Sequence, residues 1–322
     1  QIDFGVLPDS ALEAYDYTLA TAVDLSGKDG WTAIMYGVGK DPQGDSQAGA
    51  ADTDIIGDAT HGSLYTAYSD GGTPNDTSDD YLYFRMRIDN PTSTTNFNGV
   101  AIVGLDANGD GRVDLFISVD ARNNTQAVRL LDPGTGLNNS PNTTTTSALP
   151  TGWLANNGMY DFTNSNFSVV AVSLKKKPNW DGDTDVGNNG DNDAFISWRV
   201  PLADLTTVLA KASPTDRYGN YGPRGSTGIA GFSQDTTVSY VSFTQTQPGP
   251  INGDLNGVGK SYDKNATFAQ LGAFTAPMTA SDPVSASDFV RINSPISSDG
   301  LINATEDNSV EIGRASCRER VS

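Results

Sequence analysis

The sequence predicts an all-β protein: an antiparallel β-sandwich, jelly-roll-like, with long acidic loops and one or two short helices. Three observations predict it. Ten short runs rich in β-branched and aromatic residues recur between residues 31 and 245, separated by clusters of Gly, Asn, Asp, Ser and Thr. Acid is written almost wholly as Asp, since Glu occurs only at Glu13, Glu306, Glu311 and Glu319. Asp suits turns and oxygen-lined cation loops, whereas helical surfaces use Glu freely. Finally, 34 Gly in 322 residues punctuate the chain too often for long helices.

The strands follow in order. "WTAIMYGVG" (31–39) and "SLYTAYS" (63–69) are apolar runs bounded by Gly and Asp. "YLYFRMRID" (81–89) alternates: Leu82, Phe84, Met86 and Ile88 share a face that belongs in a core, and Tyr81, Tyr83, Arg85 and Arg87 share the other. "GVAIVGL" (99–105) and "VDLFISVD" (113–120) flank a nine-residue acidic turn, and "AVRLLD" (127–132) follows. "FSVVAVSLK" (167–175) and "AFISWRV" (194–200) flank a second acidic loop; "GIAGFSQ" (228–234) and "VSYVSFTQ" (238–245) complete the set. "PLADLTTVLAKA" (201–212) reads as a helix, with Pro201 in its first turn and Lys211 in its last. "ATFAQLGA" (266–273) is a second, shorter helical stretch, and "TQPGPINGDLNGVGKSYDKN" reads as loop.

Charge and composition exclude several function classes. A net charge of −19 argues against nucleic acid, whose phosphates need clustered Lys and Arg. The one basic run, Lys175–Lys177, is followed directly by acid. A single His61 and a single Cys317 rule out an intrachain disulfide and a His/Cys zinc cluster. No apolar run reaches the roughly 18 residues of a membrane helix, so no membrane insertion is expected. "QIDFGVLPDS" has the look of a mature N-terminus after removal of a leader, which points to an extracellular, cell-surface protein of bacterial type.

The acidic loops are the candidate metal sites. In "DANGDGRVD", Asp106, Asn108, Asp110 and Asp114 occupy positions 1, 3, 5 and 9 of a calcium loop. The carbonyl of Arg112 stands at position 7, and Gly111 at position 6 permits the sharp turn. Ca²⁺ takes six to eight oxygens at about 2.3–2.6 Å, which is why hard ligands must converge within one turn. Position 12 is Ile117 rather than Glu, and the flanks are strands, so a helix-flanked sensor is excluded. Asn108-Gly109 and Asp110-Gly111 are also strong hairpin pairs, so a plain turn is the competing reading. In "WDGDTDVGNNGDND" (180–193), Asp181, Asp183, Asp185, Asp191 and Asp193 form a second candidate calcium loop, with a solvated acidic loop as the alternative. Looser acidic stretches lie at 70–80 and at 41–58, the latter with Asp52, Asp54 and Asp58.

No catalytic constellation assembles. His61 sits beside Gly in a loop context, and no Gly-x-Ser-x-Gly elbow, P-loop or zinc motif is present. Trp31 and Trp198 read as strand core. Trp153 and Trp180 lie in loops, where a sugar-stacking role competes with a packing one.

Toward the C-terminus the style changes. Residues 277–288 read as a linker, 289–310 as the start of a new unit, and 311–322 resembles the translation of a sequencing adapter rather than natural chain. The segment "INSPISSDGLINATEDNSVEI" (292–312) resembles the opening of the tandem Ig-like repeats of giant bacterial adhesins and biofilm-associated surface proteins. Asp299, Ile302, Asn303, Ala304 and Glu306 fill that pattern. The resemblance implies calcium at junctions between repeats, with Asp299 and Glu306 as the matching ligands. More loosely, 1–276 is similar to the N-terminal regions that precede such repeats. The resulting expectation is a non-catalytic, calcium-stabilised β-domain of a surface or matrix protein acting in adhesion or extracellular assembly. Its partners would be surface glycan or neighbouring copies of itself. The alternatives are a carbohydrate-binding module of a secreted enzyme and a subunit of an extracellular filament.

Overall fold

In a computed structural model of the chain, the described residues are 23–26, 30–36, 43–47, 53–73, 76–89, 97–122, 126–172, 185–186, 192–246 and 251–284. The chain divides into two units, Gln1–Ala286 and Ser287–Ser322. The second lies outside the described residues, and with it the repeat expected at 289–310, Asp299 and Glu306.

The first unit is an all-β sandwich. Its elements are β1 (Thr32–Tyr36), β2 (Gly62–Ser69), β3 (Tyr81–Asp89), β4 (Val100–Asp106), β5 (Leu115–Asp120), β6 (Ala127–Asp132), β7 (Ser147–Ala148), β8 (Met159–Tyr160), β9 (Phe167–Ala171), β10 (Asp193–Pro201), α1 (Leu202–Leu209), β11 (Ser239–Gln245) and α2 (Phe268–Leu271). One sheet runs β1-β2-β3-β10-β9. The other runs β11-β4-β5-β6-β7, with β8 also on β6. Every pairing is antiparallel. The chain builds three strands of the first sheet and crosses to lay down β4 to β8. It then returns for β9 and β10, and crosses again through α1 to β11.

The core lies between the sheets. β3 contributes Leu82, Phe84, Met86 and Ile88, the face that its alternation marks as apolar, and β10 adds Ile196, Trp198 and Val200. Opposite them stand Val103 and Leu105 of β4, Ile117 and Val119 of β5, and Leu130 of β6. The Phe84 ring meets Tyr240 edge-on at 5.3 Å, joining the two layers. α1 buries Leu202, Leu205, Val208 and Leu209, the three-to-four spacing of one helical face. α2 is a single turn closed by a Thr267–Gln270 capping box and stopped by Gly272 at φ 67°.

Both sheets are covered on their second face as well. Ile102, Phe116 and Phe243 point away from the main core into a second cluster, closed by Ile251, Leu255, Val258 and Phe268. The segment after β11, read from sequence as loop, is therefore a cover: Leu255 bridges Phe243, and Asn256 N–H donates to the Ser242 carbonyl at 3.0 Å. On β3, Tyr83, Arg85 and Arg87 are also buried. Arg85 lies 4.1 Å from the Trp31 ring centre, and Val23 and Leu25 pack beside Tyr83. Two expectations are corrected. "GIAGFSQ" (228–234) is not a strand, because Gly228 and Gly231 take φ of 72° and 78° and turn the chain. Residues 277–284, read as the start of a linker, lie against the sandwich, with Met278 bridging Val238 and both Met278 and Ala280 in the core. Among the described residues no helix is long and apolar enough to cross a membrane.

Candidate metal centre

The β4–β5 connection is the acidic turn singled out by sequence. Asp106 closes β4, and its Oδ1 accepts the N–H groups of Asn108 at 3.3 Å and Gly109 at 2.7 Å, while Oδ2 accepts Gly111 at 2.9 Å. Asn108 Oδ1 accepts from Asp110 N, and Asp110 Oδ1 from Arg112 N, both at 2.9 Å. Gly109 and Gly111 supply the positive φ that this winding needs, at 74° and 77°. Asp114 folds back over the turn: Oδ2 accepts Ala107 N at 2.8 Å and Oδ1 accepts Asn108 Nδ2 at 3.3 Å. Asp106, Asn108, Asp110 and Asp114 are thus gathered in one turn. The side chain of Arg112 leaves it to reach the carbonyls of Leu137 and Gly136. Burial pushes the Asp114 carboxyl up to about 7, helped by Asp106 and Asp110 and opposed by the Ala107 N–H and Arg224. Burial likewise raises Asp110.

The second predicted loop divides. Asp181, Asp183 and Asp191 lie outside the described residues, whereas Asp185 and Asp193 lie within them. Asp193 opens β10 and its Oδ2 meets Arg87 Nη1 at 2.5 Å in a pair with both side chains buried, and also accepts Val186 N at 3.1 Å. Burial raises this carboxyl to about 6, against the pull of Arg87. In the 70–80 loop, Asp70, Asp76 and Asp79 accept from Gly72 N, Ser78 N and the Thr73 hydroxyl, so the loop satisfies its own acids. Asp52 lies outside the described residues. Asp58 holds His61, with Oδ2 2.9 Å from Nδ1, and anchors a surface turn. Burial alone would raise Asp58, but the His61 ring and the N–H groups of Thr60 and His61 hold it down at about 2.

A different trio converges. Oxygens of Asp45, Asp54 and Asp254 all lie within 4.8 Å of one another, the group among the described residues that does so, and the three residues are 4%, 1% and 2% exposed. Asp54 follows Thr53 in the segment that pairs with the end of β3, where Ile55 bridges Ile88 and Asp89 N–H donates to the Asp54 carbonyl at 2.9 Å. Its carboxylate accepts Gly44 N at 2.5 Å and Ser46 N at 2.7 Å, which bends the 44–46 chain around it and brings Asp45 inward. Asp254 lies in the cover beside β11, where its N–H donates to Thr244 Oγ1 at 3.0 Å, and Thr244 Oγ1 in turn donates to the Thr53 carbonyl. Its Oδ2 accepts Ile55 N at 2.8 Å, across 199 positions of sequence. Both oxygens of Asp45 are buried and accept no hydrogen bond.

No family model, curated protein or solved structure matches the chain. The chemistry is therefore read from the residues themselves. Three carboxylates with no His or Cys form a hard, all-oxygen donor set, the kind that suits Ca²⁺ or Mg²⁺. Burial raises all three acids. Asp45 reaches about 7, with Asp54 adding to the rise, and Asp254 stands well above the carboxylate range with Asp45 beside it. Without a counter-charge, burial favours the protonated form of each of the three acids. An open cleft of about 620 Å³ lies alongside, lined by Gln47, Lys260, Ser261, Tyr262, Asp263 and Lys264. Sequence reasoning weighed Asp54 within the 41–58 run but did not find Asp45 or Asp254. The available signal was weak: one Asp in "INGDLNG", some two hundred positions away.

Proposed function

We propose that this chain is a non-catalytic, calcium-stabilised extracellular domain of a bacterial surface or matrix protein, acting in adhesion or extracellular assembly. The observation that carries the reading is the Asp106–Asp114 turn. Its oxygens at positions 1, 3, 5 and 9 are wound into a single loop by two positive-φ glycines, and its last acid is fully buried. Burying Asp114 beside two further carboxylates is costly for a plain hairpin, and a divalent cation offsets that cost. The turn joins two central strands whose core faces are wholly apolar, which suits a static brace rather than a moving sensor. The test is thermal unfolding of the purified chain in calcium and in chelator, for wild type and Asp110→Asn. Calcium should raise the wild-type melting temperature, and the substitution should reduce the rise. Equal melting temperatures with and without calcium sink the reading.

A second reading, glycan binding, has one observation in its favour. Tyr218 and Tyr221 stand 74% and 47% exposed on one loop, and such rings can stack on sugars. Of the two sequence candidates for that role, Trp180 lies outside the described residues, and Trp153 is instead partly buried against the core with Arg224 5.4 Å from its ring centre. Glycan-array binding lost in Tyr218→Ala and Tyr221→Ala, and retained in Asp110→Asn, would favour this reading.

A further inference from the structure

We propose that Asp45, Asp54 and Asp254 hold a second divalent cation, Ca²⁺ being the ion their donor set suits, and that this ion locks the cover after β11 onto the 44–56 segment. The site shares no residue with the Asp106–Asp114 turn.

Proximity of acids alone would not make a site. The second observation is Asp45: it is 4% exposed, both of its oxygens are buried without meeting a hydrogen-bond donor, and one of them lies within 4.8 Å of oxygens of Asp54 and Asp254. Burying an unsatisfied carboxylate is expensive, and three other buried acids each meet a guanidinium. Asp132 is buried against Arg224, Asp193 against Arg87, and Asp120 is closed by Arg122. Among the described residues no guanidinium forms an ion pair with the trio. Lys260 is an exposed side chain whose Nζ contacts the Gly44 carbonyl at 3.3 Å and whose charge eases the ionisation of Asp45. One divalent ion together with Lys260 would balance the three carboxylates.

The surroundings leave room for ligation. Asp54 and Asp254 each use carboxylate oxygens to accept N–H groups, and each such oxygen keeps a second lone pair. The Tyr262 hydroxyl lies near enough for Asp254 and Asp45 to help burial push it up to about 12, against the pull of Gln47. Gly259 passes over Asp45: a Cβ built there would stand 3.9 Å from Oδ2.

The test uses the whole chain, stripped of metal and titrated with CaCl₂ by calorimetry at neutral pH, as wild type, Asp45→Asn, Asp110→Asn and the double variant. Amide hydrogen exchange at Ser46 and Ile55, whose N–H groups donate into the trio, is followed in parallel. Asp45→Asn should lose one bound equivalent that Asp110→Asn keeps. Calcium should slow exchange at Ser46 and Ile55 in wild type and in Asp110→Asn, but not in Asp45→Asn. The proposal is overturned if Asp45→Asn binds as many ions as wild type, or if calcium leaves Ser46 and Ile55 unchanged in the wild-type chain, a readout that stands even where a variant does not fold. Loss of an equivalent in Asp45→Asn with no change in Asp110→Asn would sink the reading of the 106–114 turn alone.

Discussion

Arg224 donates through Nη2 to Asp132 Oδ2 at 2.5 Å with both side chains out of solvent, and its Nη1 reaches the Asp114 carbonyl at the same distance. One guanidinium thus ties the end of β6 to the end of the acidic turn. Removing a single partner of a buried pair strands the other charge, at a cost of about 3–5 kcal/mol. Arg224→Met should lower the unfolding free energy by about that amount, measured by urea denaturation. Because the same side chain holds the Asp114 backbone, it should also weaken calcium binding at the turn. Adding Asp132→Leu should restore most of the stability and not the calcium affinity. A single variant as stable as wild type contradicts this account.

Calcium should contribute in proportion to occupancy. A site filled at a hundredfold excess over its Kd adds about 2.7 kcal/mol. For a domain of ordinary stability, about 5–15 kcal/mol, two such sites are a large share. Asp110→Asn and Asp45→Asn should each remove about one site's increment, and their effects should add, because the two sites share no residue. Strong non-additivity in melting experiments would show that they are one coupled system.

The pH dependence follows from the sign of the shifts. Asp45 and Asp114 stand at about 7 and Asp193 at about 6, all raised chiefly by burial from an ordinary 3.8. Between about 4 and about 7 the folded chain therefore holds protons that the unfolded chain has released. In chelator, stability should fall as pH rises through that window and level off above it. Saturating calcium favours the ionised carboxylates and should flatten or reverse the fall. Asp58, held at about 2, has the opposite sign: its contribution is present above 3.8 and lost as pH drops toward 2. Denaturation midpoints across this range, with and without calcium, check the pattern. A rise with pH in chelator would refute it.

Gly253 has no room for a side chain. A Cβ there would lie 2.4 Å from the Thr244 carbonyl oxygen, a backbone atom that cannot swing away. Gly253→Ala should push the cover off β11, at a cost of about 1–3 kcal/mol. It should also displace Asp254, which is the next residue. Calorimetry should then show a weakened or missing equivalent at the trio, while the equivalent assigned to the 106–114 turn is unaffected.

Much of the fold was legible because its strands are short and sharply bounded. β3 and β6 fall on the predicted 81–89 and 127–132, and the core face of β3 is the alternating set Leu82, Phe84, Met86 and Ile88. What alternation concealed was the burial of the other face. Arg85 and Arg87 look solvent-facing in a sequence, and only the structure supplies Trp31 and Asp193 to receive them. The acidic turn was legible because all its oxygens lie within nine residues. The trio was not, since its members come from two segments far apart in sequence, one laid along the end of β3 and the other beside β11. A motif can be read where the ligands are neighbours in sequence, and not where tertiary structure alone makes them neighbours.

The hydrogen bond from Ile55 N–H to Asp254 Oδ2 also sets an order of events. A chain made from its N-terminus exposes Asp45 and Asp54 long before their third partner exists. Until residue 254 arrives, the two acids repel each other with nothing between them to bind. Contacts this distant in sequence form late, because the loop between them must be closed first. The proposed ion site would thus act as a completion signal: an ion would be retained there only by a chain in which the 44–56 segment and the segment around Asp254 have both found their place.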